Sequence, residues 1–145
     1  MPLHEKCFTY RFSDDIFVEK VYISDLSEND IIVTPVLNDK NELIKSFHKS
    51  KITSIIKHKV DFVYPFYALP GGCLITKNHP VLERCHYDEN HNRYYFMNGY
   101  QIKKPEDIYN CIKKKSSFIY DFILDNNRFM KVNDSIVFAH TSSKF

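Results

Sequence analysis

Within residues 52–69 the chain places Val60, Phe62, Tyr64 and Phe66 at every second position, with Lys59, Asp61 and Pro65 on the other face. Such alternation buries one face and wets the other, which is the pattern of a strand in an antiparallel sheet. Runs rich in β-branched and aromatic residues recur along the rest of the sequence. Residues 16–23 and 31–36 read as strands joined by the turn-forming stretch 24–30, and a polar loop covers 37–42. Residues 93–97 and 100–102 flank Asn98-Gly99, a hairpin-turn dipeptide. Residues 118–124, 128–132 and 135–139 read as closing strands, the first two separated by the turn Asp125-Asn126-Asn127. One segment, 105–112, reads as helix. Pro105 opens it, Glu106 and Asp107 fill its first turn, Ile108 and Ile112 lie one turn apart, and Lys113-Lys114-Lys115 follow, matching the helix dipole at both ends. A mainly β chain with one short outer helix is expected.

Composition narrows the function classes. With 145 residues, 43% of them hydrophobic, the chain has material for one core and one domain. Lys and Arg total 20 against 18 Asp and Glu, with the signs interspersed, so no basic face for nucleic acid is expected. No apolar run reaches the roughly 18 residues of a membrane-spanning helix, so no membrane partner is expected. The start, Met1-Pro2-Leu3-His4-Glu5-Lys6, has no apolar signal-peptide core, which fits an intracellular chain or a piece of a longer precursor. A monomer is expected. Cys7, Cys73, Cys85 and Cys111 form no disulfide framework and no Cys-x-x-Cys pair. His79, Cys85, His86 and His91 can be drawn as a zinc site, but their spacing fits no usual finger, and 87–92 reads as a solvated loop. No metal or cofactor is expected.

Reaction chemistry points elsewhere. Pro70-Gly71-Gly72 makes a tight reversal before Leu74-Ile75-Thr76, and Pro80 pushes His79 out of the helical region, so the imidazole is presented from a turn. Asp121 shares a strand face with Ile119 and Ile123, while Tyr120 and Phe122 occupy the other. That carboxylate needs a partner or a function, because burying it alone costs several kcal/mol; a structural aspartate holding backbone amides is the plain alternative. Cys7 becomes nucleophilic at neutral pH only beside a base or a cation. The glycine- and tryptophan-bearing surroundings of thiol-protease nucleophiles are missing, which argues against a protease acting in trans.

In this order the blocks resemble the hedgehog/intein (Hint) superfamily of self-processing domains. They are Cys7-Phe8-Thr9, then Ile23-Ser24-Asp25-Leu26-Ser27-Glu28-Asn29-Asp30-Ile31-Ile32, then Thr76-x-x-His79-Pro80, then Ile119-Tyr120-Asp121-Phe122 with Val137-Phe138-Ala139-His140-Thr141. The resemblance is to intein-like variants without an endonuclease. It implies a horseshoe of two pseudo-symmetric β subdomains spanning 7–140, with 1–6 and 141–145 as flanks.

The resemblance also implies roles. Cys7 attacks the Lys6 carbonyl in an N-to-S acyl shift. His79 protonates the departing nitrogen, Thr76 bonds near the same peptide, and Asp121 positions or deprotonates the thiol. His140 assists at the C-terminal junction, where Thr141 stands as a downstream nucleophile. The substrate is then the covalently attached flanking polypeptide, and water or an external thiol or amine resolves the thioester. Splicing domains end His-Asn so that the asparagine cyclises; here Thr141 follows His140, so cleavage is expected rather than splicing, unless an unusual C-terminal route operates. Asn29 replaces the usual glycine, and Asn133-Asp134 the usual Asn-Gly, both tolerable because Asn accepts positive φ. A catalytically inactive Hint-fold structural or binding module is the alternative.

Overall fold

The computed structural model describes residues 3–60, 63–77, 79–88 and 90–142. In chain order the elements are β1 (Leu3–His4), β2 (Phe8–Phe12), β3 (Val18–Tyr22), β4 (Ile31–Leu37), β5 (Leu43–Lys59), β6 (Val63–Ala68), β7 (Leu74–Ile75), β8 (Val81–Asp88), β9 (Arg93–Lys103), α1 (Pro105–Ile108), β10 (Cys111–Lys115), β11 (Phe118–Leu124), β12 (Phe129–Val132), β13 (Ser135–Phe138) and β14 (His140–Thr141). Single 3-10 turns lie at Ile23–Asp25 and Pro70–Gly72. The larger sheet runs β10-β6-β7-β1-β11-β5-β4-β2-β3, with β14 parallel to β11; the smaller runs β12-β13-β8-β9. The core draws on both. Leu3, Ile52, Ile75, Tyr120, Phe122 and Leu124 from the first pack with Val81, Met130, Val132 and Val137 from the second.

The alternating stripe holds, although the strand carrying it is broken. Phe66 is fully buried, and Val60 and Tyr64 pack on it, while Val63 and Pro65 face outward. Asp61 and Phe62 lie outside the described residues. β5 ends at Lys59 and starts at Leu43, well before Ile52, because its long pairing with β4 extends the sheet over a stretch whose residues are mostly exposed and carry little burial signal.

Two local expectations are corrected by tertiary pairing. Asn98-Gly99 does not reverse the chain: β9 runs through it, with the register against β8 shifting between Glu83 and Cys85. Gly99 instead lies against the tight turn at 38–42. It bridges Glu42, and a Cβ on it would meet the Lys40 carbonyl oxygen at 2.9 Å, so the glycine serves close backbone approach. The helix stops after one turn at Ile108. Cys111–Lys115 is instead edge strand β10, taking its backbone partners from Tyr67 to Val63 of β6. Its exposed lysines suit an edge, where charge discourages pairing with another chain.

Positive φ falls at the three positions where the resemblance implies it, and also at Asn41 and Asn92. Asn29 has φ 72°, and Asn133 and Asp134 have φ 46° and 66°. Two consecutive positive values between paired Val132 and Ser135 make the tight hairpin joining β12 to β13.

Candidate active site

The Cys7 neighbourhood is built by backbone. The Cys7 N–H donates to the His4 carbonyl at 3.1 Å, closing a turn over Glu5 and Lys6 that presents the Lys6–Cys7 bond. The Cys7 carbonyl accepts the Ile23 N–H at 2.8 Å. Phe8 donates its N–H to Asn133 Oδ1 at 2.7 Å and accepts the Asn133 N–H at 2.9 Å, while Asn133 Nδ2 donates to the Gly71 carbonyl at 3.0 Å. Asn133 therefore ties the segment after Cys7 to the reversal before β7. That reversal needs its glycine: Gly71 has φ 83°, and a Cβ there would meet the Asn133 carbonyl oxygen at 2.5 Å.

The thiol itself is 2% exposed. Cys7 Sγ lies 3.3 Å from Cys73 Sγ, 3.3 Å from the Leu74 carbonyl oxygen and 3.3 Å from the Leu74 nitrogen, whose N–H donates to the sulfur. That N–H gives the buried sulfur a hydrogen-bond donor from the backbone. Burial and the adjoining Cys7 push the Cys73 thiol well above its usual range, so Cys73 stays protonated and can donate.

Two residues beyond Leu74 the same segment reaches the Thr76–His79 turn, closed by the His79 N–H on the Thr76 carbonyl at 3.1 Å. Both side chains are buried, and Thr76 Oγ1 has no hydrogen-bond partner among the described residues. His79 Nε2 is 2.7 Å from the Phe138 carbonyl oxygen. A carbonyl only accepts, so Nε2 carries the hydrogen and Nδ1 is the position that gains a proton when the ring becomes imidazolium. The Phe138 N–H returns a bond to the Pro80 carbonyl at 3.2 Å. The stretch from Leu74 to His79 thus touches Cys7 at one end and Phe138, two residues before His140, at the other.

Not every expected member converges. Asp121 is buried on β11, but strand alternation sets it opposite Tyr120, while Thr76 follows the end of β7. Tyr120 and Ile75 share the cluster that holds Cys7. Asp121 therefore sits on the other face of the sheet from the thiol, and the hydrogen bonds of Cys7 go to Cys73, Leu74, His4 and Ile23. His140 is exposed on β14, level with Ile123, and Thr141 is level with Leu124. The side chains of Cys85 and His86 lie outside what is described, and among the described residues no group of three or more His, Cys, Asp or Glu could hold a metal ion. A cleft of about 560 Å³ lined by Leu37, Asn38, His48, Asn127 and Arg128 contains none of the expected site residues.

Similarity of structure now adds to this geometry. No protein-family model and no curated protein matches the chain by sequence. Among solved structures, a DnaB intein from Synechocystis sp. PCC 6803 is similar with a TM-score of 0.57 and 11% identity, over 95% of this chain and 97% of that one. A mutant of an Ssp DnaB mini-intein variant is similar with a TM-score of 0.57 and 13% identity, over 95% and 98%. The chain has the intein Hint fold. Within that fold the sequence blocks marked Cys7, Thr76 and His79 on one continuous path, but not three supports. Asn133 was legible only as a turn residue, Cys73 only as a packing cysteine, and His4 gave no signal.

Proposed function

We propose that the chain is a self-processing domain that cuts the Lys6–Cys7 bond. Cys7 Sγ adds to the Lys6 carbonyl carbon and gives up its proton. The C–N bond breaks as the Cys7 nitrogen is protonated, leaving a Lys6 thioester on Sγ and a free amino group on Cys7. His79, held through Nε2, is the proposed acid; such help is typically worth about 10² to 10⁴ in rate. Water or an external thiol or amine then attacks the thioester and releases the upstream polypeptide. The observation that carries this reading is the Leu74 N–H on Cys7 Sγ at 3.3 Å, at the head of the segment that leads into Thr76 and His79. A reporter fused before Met1 is expected to be released slowly, and faster with a thiol or hydroxylamine. Cys7→Ala is expected to stop release, and release from that variant at the parent rate contradicts the reading.

A second reading rests on the 2% exposure of Cys7 and on Asp121 facing away from its thiol. There the Hint fold is kept as a binding or structural module and Cys7 is a packing residue. It predicts an intact fusion under every one of those conditions.

A further inference from the structure

The residues before Cys7 do not hang from the domain. Leu3 pairs with Ile75 of β7 on one side and with Tyr120 of β11 on the other, so β1 is an interior strand of the larger sheet. Leu3 is 1% exposed among Cys7, Ile75 and Tyr120, and His4 is 2% exposed. The His4 ring meets Phe66 edge-on at 5.0 Å. Its Nε2 lies 3.2 Å from the Lys115 carbonyl oxygen, and its Nδ1 accepts the Lys6 N–H at 3.1 Å, so one tautomer satisfies both nitrogens. Glu5 follows with its carbonyl on the Ser24 N–H at 3.2 Å and its carboxylate on the Ser117 N–H at 3.2 Å. An apolar socket, an imidazole socket and two strand edges thus read residues 3–5. Withdrawing them would strip β7 and β11 of backbone partners, which is the basis of recognition by strand addition.

We propose that the space between β7 and β11 is a peptide-binding slot for the polypeptide upstream of the cut bond, taking an extended segment with an apolar side chain at Leu3 and an imidazole at His4. The slot holds that polypeptide without a covalent link once the bond is cut. As a specificity device it rests on the cut at Lys6–Cys7, whereas the binding itself does not.

The test uses the full chain with a reporter before Met1, Cys7→Ala to silence self-cleavage, and a site for a sequence-specific protease inserted between Glu5 and Lys6. After protease cutting, the reporter is expected to co-elute with the domain on native gel filtration and to exchange slowly against a synthetic peptide of residues 1–6. The same peptide carrying Leu3→Asp is expected to compete at least about tenfold more weakly, as when a charge replaces a buried apolar anchor. A peptide carrying His4→Ala should also compete weakly, and one carrying His4→Gln, which again offers a donor and an acceptor, should recover part of the loss. Immediate separation of the cut reporter, or equal competition by the Leu3→Asp peptide, overturns the slot. Self-cleavage is scored apart, in the Cys7 fusion without the protease site. A fusion that never cuts itself but retains the protease-cut flank contradicts the proposed function and supports the slot; one that cuts itself and lets the flank go does the reverse.

Discussion

The two junctions of this chain are built very differently. At the proposed N-terminal one, β1 and β2 are interior strands of the larger sheet and the turn between them is tied by backbone bonds to His4, Ile23 and Ser24, with Asn133 on Phe8 and the thiol enclosed by Cys73 and Leu74. At the proposed C-terminal one, His140 is exposed on a two-residue strand that pairs in parallel with β11, and Ser142 donates its N–H and its hydroxyl to the Leu124 carbonyl at 2.9 and 3.2 Å. The sheet encloses the proposed cut at Lys6–Cys7, whereas the exposed His140 is followed by Thr141 and not by an asparagine that could cyclise. The difference favours chemistry at Lys6–Cys7 and not at the C-terminal end.

The largest effect that would sharpen this contrast is on rate. His79→Gln should slow N-terminal release by about 10² to 10⁴, or about 3–5 kcal/mol in the barrier, with the circular dichroism spectrum unchanged. A release rate equal to the parent's would remove His79 from the chemistry and erase the asymmetry. Next comes Asn133→Ala, which strands the Phe8 N–H and the Gly71 carbonyl. Loss of those two part-buried bonds should cost about 1–3 kcal/mol in urea unfolding. Smaller still is a pH effect at β1. Burial, outweighing the Lys115 carbonyl, holds the His4 imidazole below its usual range, so the folded chain binds that proton less readily than the unfolded one. Stability from His4 is therefore complete above about pH 6.5 and falls as the pH drops toward the lowered folded value. Urea midpoints between about pH 7.5 and 5.5 should show the fall, and His4→Gln should flatten it. The smallest effect is at the other junction, where His140→Ala should shift stability by less than about 0.5 kcal/mol, as befits an exposed position.

Much of the fold was legible because burial and turn chemistry agree with it locally. The stripe ending in Phe66 and the Pro70-Gly71-Gly72 reversal follow from the residues, and the positive φ of Asn29, Asn133 and Asp134 falls where the Hint resemblance implies it. Where they failed, a distant partner decided. Residues 111–115 carry helix-ending lysines, yet β6 offered them a sheet edge, and Gly99 answers a carbonyl from the turn at 38–42. At the site, spacing identified residues on one path but not the face each occupies. Alternation about Tyr120 sends Asp121 away from the thiol, and that depends on how β1 enters between β7 and β11. Leu3 and His4 could be read as a flank in sequence because a two-residue strand has no period of its own.

The intact mass of the upstream fragment released by hydroxylamine tests the central claim most directly. Self-processing at Lys6–Cys7 predicts a fragment ending in a Lys6 hydroxamate, formed only with Cys7 present. An uncut fusion, or a fragment ending at any other residue, contradicts it.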